Sequence, residues 1–226
     1  MKTGPDIALL GSLIGEPARA NMLTALMSGM ALTASELAGE AGVTVQTASA
    51  HLKKLEAGGM IRQRKQGRHR YFSLADDDVG NILEAMMGLA AKKGHARTQP
   101  GPKEPALRKA RVCYNHLAGE RGVELFDSLL AQKFLTEDKD TLTLSDTGRT
   151  FFIQLGIDVD ALNGSRRPLC TSCLDRSARR SHLAGPLGAA LLARFYALGW
   201  AAREDGTRII TFTSKGDVQF RTKFHT

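Results

Sequence analysis

The chain has 226 residues, room for one large domain or two small ones, and its 42% hydrophobic and 24% charged residues are those of an ordinary globular protein. That balance excludes disordered, collagen-like and coiled-coil architectures; no run approaches the roughly 18 apolar residues of a membrane span, and three cysteines are too few for a disulfide framework. The 31 Lys and Arg against 23 Asp and Glu leave +8, which favours a polyanionic partner, met in a reducing cytoplasm, if the excess is clustered.

Helical periodicity starts with Ile7, Leu10 and Ile14, in a run that Gly11 and Ser12 interrupt. Pro17, a residue favoured at the first helical position, opens a second helix carrying Met22, Leu23, Leu26 and Met27. Thr33 and Glu36 have the spacing of a capping box, so a short helix follows and closes at Gly42. Thr44 caps the next helix, whose Ala48, Leu52 and Leu55 recur at i, i+4 and i+7. Two strands around a Gln66-Gly67 turn then occupy 60–74, and the acids at 76–78 open a helix with Val79, Ile82, Leu83, Met86, Met87 and Ala90 on one face.

Helix, tight turn, capped helix and basic hairpin, in that order, are the parts of a winged helix-turn-helix. With Ala48, Leu52 and Leu55 turned inward, the capped helix presents Gln46, Ser49, Ala50, Lys53 and Lys54 outward, with Thr44 and Thr47 at its start. Gln can pair with adenine, Ser can donate or accept, Ala tolerates a thymine methyl, and Lys neutralises phosphate. His51 falls nearer the core boundary. The hairpin adds Arg62, Arg64, Lys65, Arg68, His69 and Arg70 with no acid among them, so between Lys53 and Ala75 seven cations face one anion, Glu56. Most of the chain's excess charge is therefore in one segment. The expected ligand is double-stranded operator DNA, bound with steep salt dependence.

Glu16-Pro17-Ala18-Arg19, Glu36-Leu37-Ala38, residues 43–46, His51-Leu52-Lys53-Lys54-Leu55, Gly58-Gly59-Met60-Ile61 and residues 67–74 together resemble the ArsR/SmtB arsenic-repressor family over about residues 5–92. The resemblance implies a homodimeric bacterial repressor whose terminal helices, here 6–14 and 77–92, form the subunit interface. Metal-sensing members of that family carry a Cys-x-Cys pair at the DNA-reading helices, and others use His and carboxylate ligands on the last helix. Residues 36–44 contain no cysteine, residues 77–92 contain no histidine, and His95 stands alone, so neither family metal site carries over. A signal must enter elsewhere, or there is none.

The Pro- and Gly-rich stretch 94–105 reads as a linker. Beyond it His116-Leu117-Ala118-Gly119 recurs as His182-Leu183-Ala184-Gly185, and Leu144-Ser145-Asp146-Thr147-Gly148 is answered by Phe212-Thr213-Ser214-Lys215-Gly216, an internal repeat read as helix, helix and strand pair. The expected architecture is mainly α with small β-hairpins (α+β). A winged helix-turn-helix domain at 1–92 and a linker at 93–105 precede a sensing or bracing domain at 106–226, made of two winged-helix-like repeats at about 106–157 and 170–224.

Cys113 and His116 stand at i, i+3 on an expected helix, and Cys170 and Cys173 form a C-x-x-C in a loop with Arg166, Arg167 and Arg176. Such thiols suit zinc or another thiophilic metal or metalloid, a redox or electrophile switch, or simple packing without any cofactor. Duplicated with their Leu-Ala-Gly context, His116 and His182 read more readily as helix-start or core-edge residues than as ligands. A thioredoxin-like enzyme, or a C-x-x-C metal or redox protein with secondary DNA binding, is the rival class, but that motif normally opens a helix after a strand. Hydrolase and kinase motifs are absent from the sequence, so a non-enzymatic protein is expected. Acids at Glu137, Asp138, Asp140, Glu204 and Asp205 occupy the later hairpins, where a phosphate-binding wing would be basic. Despite the basic residues Arg166, Arg167, Arg176, Arg179 and Arg180, the second half is not expected to read DNA.

Overall fold

In the computed structural model, which describes residues 4–95, 104–139, 141–162, 168–175 and 177–224, the chain forms two compact units, Met1–Met87 and Gly88–Thr226. Most of the expected linker, with Asp140, Arg166, Arg167 and Arg176, lies outside the described residues.

In the first unit α1 (Ile7–Ile14) runs into α2 (Pro17–Leu26). The Glu16 carboxylate caps α2 by accepting the backbone N–H groups of Ala18 and Arg19 at 3.1 and 2.8 Å. The Arg19 bond above all holds that carboxyl below its usual range. Arg19 is buried, and its guanidinium donates to the carbonyls of Leu13 and Ser12 at 2.7 Å each, satisfying the otherwise unpaired C-terminal end of α1. The Glu-Pro-Ala-Arg string is thus a corner that joins two helices.

β1 (Leu32–Thr33) leads into α3 (Ala34–Ala41), whose capping box is complete, with Thr33 accepting from the Glu36 backbone and Glu36 from that of Thr33. Gly42 closes α3 in the left-handed conformation, φ 67°, which favours glycine, and Thr44 caps α4 (Val45–Ala57) by accepting from the Thr47 N–H. β2 (Ile61–Gln66) and β3 (His69–Leu74) pair antiparallel, the turn falling at Gly67-Arg68, one residue later than expected. β1 adds to the other edge of β3 through Leu32↔Phe72; two residues are too short a strand to leave an alternating pattern in the sequence. Met22, Leu23, Leu26, Leu37, Leu52 and Leu55 fill the core, closed by Phe72 and Leu74. Asp76 accepts from Val79 N–H at 3.0 Å and starts α5 (Asp77–Lys92), which turns Val79 and Leu83 inward.

The second unit begins with α6 (Pro105–Lys109), the hairpin of β4 (Arg111–Cys113) and β5 (His116–Ala118), and α7 (Glu120–Ala131). The hairpin of β6 (Leu135–Asp138) and β7 (Thr141–Leu144) and the helix α8 (Asp146–Gln154) complete the first copy. The order then repeats: α9 (Val159–Leu162), β8 (Thr171–Leu174) paired with β9 (Ser181–Ala184), α10 (Gly185–Ala197), β10 (Ala201–Arg203) paired with β11 (Ile210–Phe212), and α11 (Ser214–Lys223). The His-Leu-Ala-Gly segments are therefore strands entering helices. Among the described residues neither copy shows a helix-turn-helix pair; in place of the expected winged-helix-like outline each runs short helix, hairpin, helix, hairpin, helix.

The copies interlock. β5 lies against β9, α7 packs on β9 and α10 on β5. Glycines in the two long helices permit this approach: a Cβ on Gly122 would stand 2.6 Å from the Leu117 carbonyl oxygen and 3.4 Å from His182 Cβ. The matching Cβ on Gly188 would meet the Leu183 oxygen at 2.7 Å and His116 Cβ at 3.3 Å. Around this centre Leu129, Phe152, Phe195, Trp200, Phe220 and Phe224 build one core.

Candidate nucleic-acid interface and a cysteine–histidine cluster

Burial of Ala48, Leu52 and Leu55 fixes the rotation of α4, leaving Thr44, Gln46, Thr47, Ala50, Lys53 and Lys54 exposed on its outer side. Ser49 is half-buried and its hydroxyl donates to the Val45 carbonyl at 2.8 Å, which leaves its oxygen able to accept from a base or phosphate. Thr44 is engaged as the helix cap, and Val45, 48% exposed beside it, is an apolar contact that the sequence reading did not single out. His51 sits behind this face, its Nδ1 3.3 Å from the Arg19 guanidinium and 3.6 Å from the Glu16 carboxylate, where it packs at the core edge.

Arg62, Arg64, Lys65, Arg68, His69 and Arg70 are all exposed on the β2–β3 hairpin. Lys65 is the register partner of Arg70, so like charges face each other directly across the strands, an arrangement that costs stability until an anion relieves it. Arg62 is partly held by the Ser73 hydroxyl at 3.1 Å, while Arg68 stands at the turn.

In the second unit the hairpins place each cysteine opposite a histidine: Cys113 pairs with His116 in one register and Cys173 with His182 in the other. Because the hairpins meet, the ligand atoms of all four residues lie within 4.8 Å of one another. The imidazoles are buried and their Nε2 atoms are 3.1 Å apart; His116 Nδ1 lies 3.3 Å from Asn115 Oδ1. His182 Nδ1 is buried without a hydrogen-bond partner. A hydrogen bond with Cys173, supported by His116 and His182, holds the Cys113 thiol well below the usual range against the opposing effect of burial, while burial pushes His182 down.

Two expectations need correction here. Cys113 and His116 face each other across a tight hairpin; they do not share a helix face. Cys170 does not join the group: it is 3% exposed within the hydrophobic core, where burial pushes its thiol up to about 12. Its place is taken by His182. The signal for His182 was present in the repeated His-Leu-Ala-Gly, but the Cys–His spacing does not repeat, because the β8–β9 hairpin has one more strand pair beyond Cys173↔His182 and a longer turn.

That longer turn is itself tied down by Asp175, a fully buried carboxylate. Its Oδ1 accepts from the backbone of Ser177 and Ala178 and from the Ser177 hydroxyl; its Oδ2 accepts from Gly119 N–H and the Arg111 guanidinium, both at 2.7 Å. Burial alone would raise its pKa, but these donors outweigh it and hold the carboxyl far below the usual range.

The first unit, with its capped reading helix and acid-free basic wing, is a winged helix-turn-helix DNA-binding module. Residues 14–64 match the model of a helix-turn-helix domain family. The uncharacterized HTH-type transcriptional regulator YdfF of Bacillus subtilis is 39% identical over 216 residues, covering 96% of each chain. The HTH-type transcriptional regulator Rv0324 of Mycobacterium tuberculosis is 27% identical over 120 residues, 51% of this chain and 53% of that one. Among solved structures, the homodimeric winged helix-turn-helix DNA-binding domain of Mb0332 from Mycobacterium bovis is 22% identical, covering 44% of this chain and 98% of that one, with a TM-score of 0.37. The chain belongs to the HTH-type transcriptional regulators and is a DNA-binding protein of the winged-helix kind. No helix among the described residues is long and apolar enough to cross a membrane.

Proposed function

We propose that the protein is a cytoplasmic, homodimeric repressor of the ArsR type, without catalytic activity of its own, released from operator DNA by a signal received in its second unit. The observation that carries the DNA-reading part is the adjacency of a polar, outward α4 face to a wing whose like charges oppose each other in register. Gln46, Ser49 and Ala50, with Thr47 at the first turn, read base edges; Thr44 sets the helix start. Lys53, Lys54, Arg62, Arg64, Lys65, Arg68, His69 and Arg70 hold phosphates.

Dimerisation is supported by apolar side chains left in water on the terminal helices: Ile7, Leu9 and Leu10 on α1, and Ile82, Met86 and Leu89 on α5. A monomer gains nothing from exposing six large hydrophobic groups on two helices, whereas a two-fold partner covers them. The functional division then follows 1–92 for DNA binding and dimerisation and 106–226 for sensing or bracing. Sequencing of DNA fragments retained by the purified protein tests this reading; a recurrent pseudo-palindrome supports it, and retention without any recurrent sequence refutes it.

A further inference from the structure

We propose that Cys113, His116, Cys173 and His182 form a closed tetrahedral site for one zinc-class divalent cation, which clamps the two copies of the internal repeat together. The site lies wholly within the second unit and does not depend on the DNA-binding reading.

The geometry is that of a ligand set. Metal–nitrogen bonds of about 2.0–2.1 Å and metal–sulfur bonds of about 2.3 Å imply tetrahedral edges of about 3.3 Å between nitrogens and about 3.8 Å between sulfurs. The two Nε2 atoms are 3.1 Å apart, and all four donor atoms fit within 4.8 Å. Small adjustments of side chains already in place would reach the ideal figure.

Chemistry points the same way. The two buried imidazoles direct their Nε2 atoms at each other, at a separation that suits two ligands of one ion. A cation placed between them accepts both Nε2 lone pairs. Asn115 Oδ1 beside His116 Nδ1 favours the tautomer that carries its proton there, which frees Nε2 for the metal. Two thiolates with two neutral imidazoles make a neutral complex with a divalent ion, a property that suits burial and selects a soft d10 cation over calcium or magnesium. Four protein ligands leave no open position, so the site is built to hold and not to catalyse.

Each copy of the repeat supplies one cysteine and one histidine from the two strands of its first hairpin. The ion therefore cross-links two hairpins that begin about 60 residues apart and belongs at the point where β5 and β9 meet, between Gly122 and Gly188. Folding of the unit and metal binding become one equilibrium.

The test is a cobalt(II) titration of the reduced, full-length, metal-free protein, followed by displacement with zinc. The expected result is one equivalent per chain, visible bands of tetrahedral cobalt and thiolate charge transfer. Cys113→Ser, Cys173→Ser and His182→Ala should each weaken zinc binding by more than the roughly 10–100-fold that outer partners contribute, while Cys170→Ser keeps the stoichiometry and the bands. X-ray absorption of the zinc-loaded wild type needs no variant and should show two sulfur and two nitrogen neighbours. No stoichiometric binding, an oxygen-rich shell, retention of the bands in both cysteine variants, or a metal-free Cys113–Cys173 disulfide as the form that persists in reducing buffer would each overturn the proposal.

Discussion

Arg68 occupies the turn of the wing, exposed in a run, 57–75, that contains no acid, so its replacement removes a phosphate contact while leaving the unit's core untouched. Each phosphate neutralised contributes about 0.9 to the slope of log affinity against log salt, and a homodimer presents Arg68 twice, so Arg68→Ala should flatten that slope by about 1.8. Between 50 and 200 mM salt the variant's deficit should then shrink by about 12-fold, four raised to the power 1.8. Fluorescence anisotropy on operator and on unrelated duplexes across that range gives both slopes. The loss should be uniform across sequences, because phosphate carries no base identity. An unchanged slope, or a deficit confined to one sequence, would refute the assignment of the wing to phosphate.

Gln46→Ala should instead relax discrimination at one base pair of each half-site by about 1–3 kcal/mol with little change in salt slope, read by binding to a panel of single-base operator variants. Gly122→Ala forces a Cβ to within 2.6 Å of the Leu117 backbone and should lower stability in urea unfolding by about 1–3 kcal/mol, whereas Gly39→Ala, with nothing within 4 Å, should not. Asp175→Ala leaves the Arg111 guanidinium buried without its carboxylate and should cost about 3 kcal/mol. Because the folded-state pKa of Asp175 is depressed, its contribution is complete above the unfolded carboxylate value near 4 and is lost as pH falls towards the folded value. The stability gap between wild type and Asp175→Ala should therefore begin to narrow below about pH 4 and go on narrowing as pH falls towards the folded value; a gap that stays constant through that descent would show that the carboxylate's charge is not what matters.

The first unit was legible because its signals are redundant. Thr33 with Glu36, Gly42 and Thr44 mark helix ends; Ala48, Leu52 and Leu55 fix the buried face; and an acid-free run of cations marks the wing. β1 left no trace, since two residues cannot show alternation. In the second unit the strand pairs expected at 135–144 and 200–212 are present as β6–β7 and β10–β11, whereas the first hairpin of each copy was missed, because Cys113 with His116 fits a helical i, i+3 step as well as a hairpin pair. The internal repeat was visible in glycines and leucines, yet the metal-ligand pattern was not. The extra residues of the second hairpin turn hide the equivalence of Cys113/His116 and Cys173/His182, and the C-x-x-C spacing draws attention to Cys170, which belongs to the core. A constellation assembled from two distant hairpins is a property of the interlocked fold that sequence spacing does not encode.

Whether the protein reads DNA with α4 as a two-fold symmetric dimer is decided by hydroxyl-radical footprinting on a retained operator fragment. Two protected patches related by a pseudo-palindrome are expected, their centres about one helical turn apart on one face of the duplex. A single asymmetric patch, or protection that survives removal of the α4 side chains in a Gln46→Ala/Lys53→Ala/Lys54→Ala variant, would contradict it.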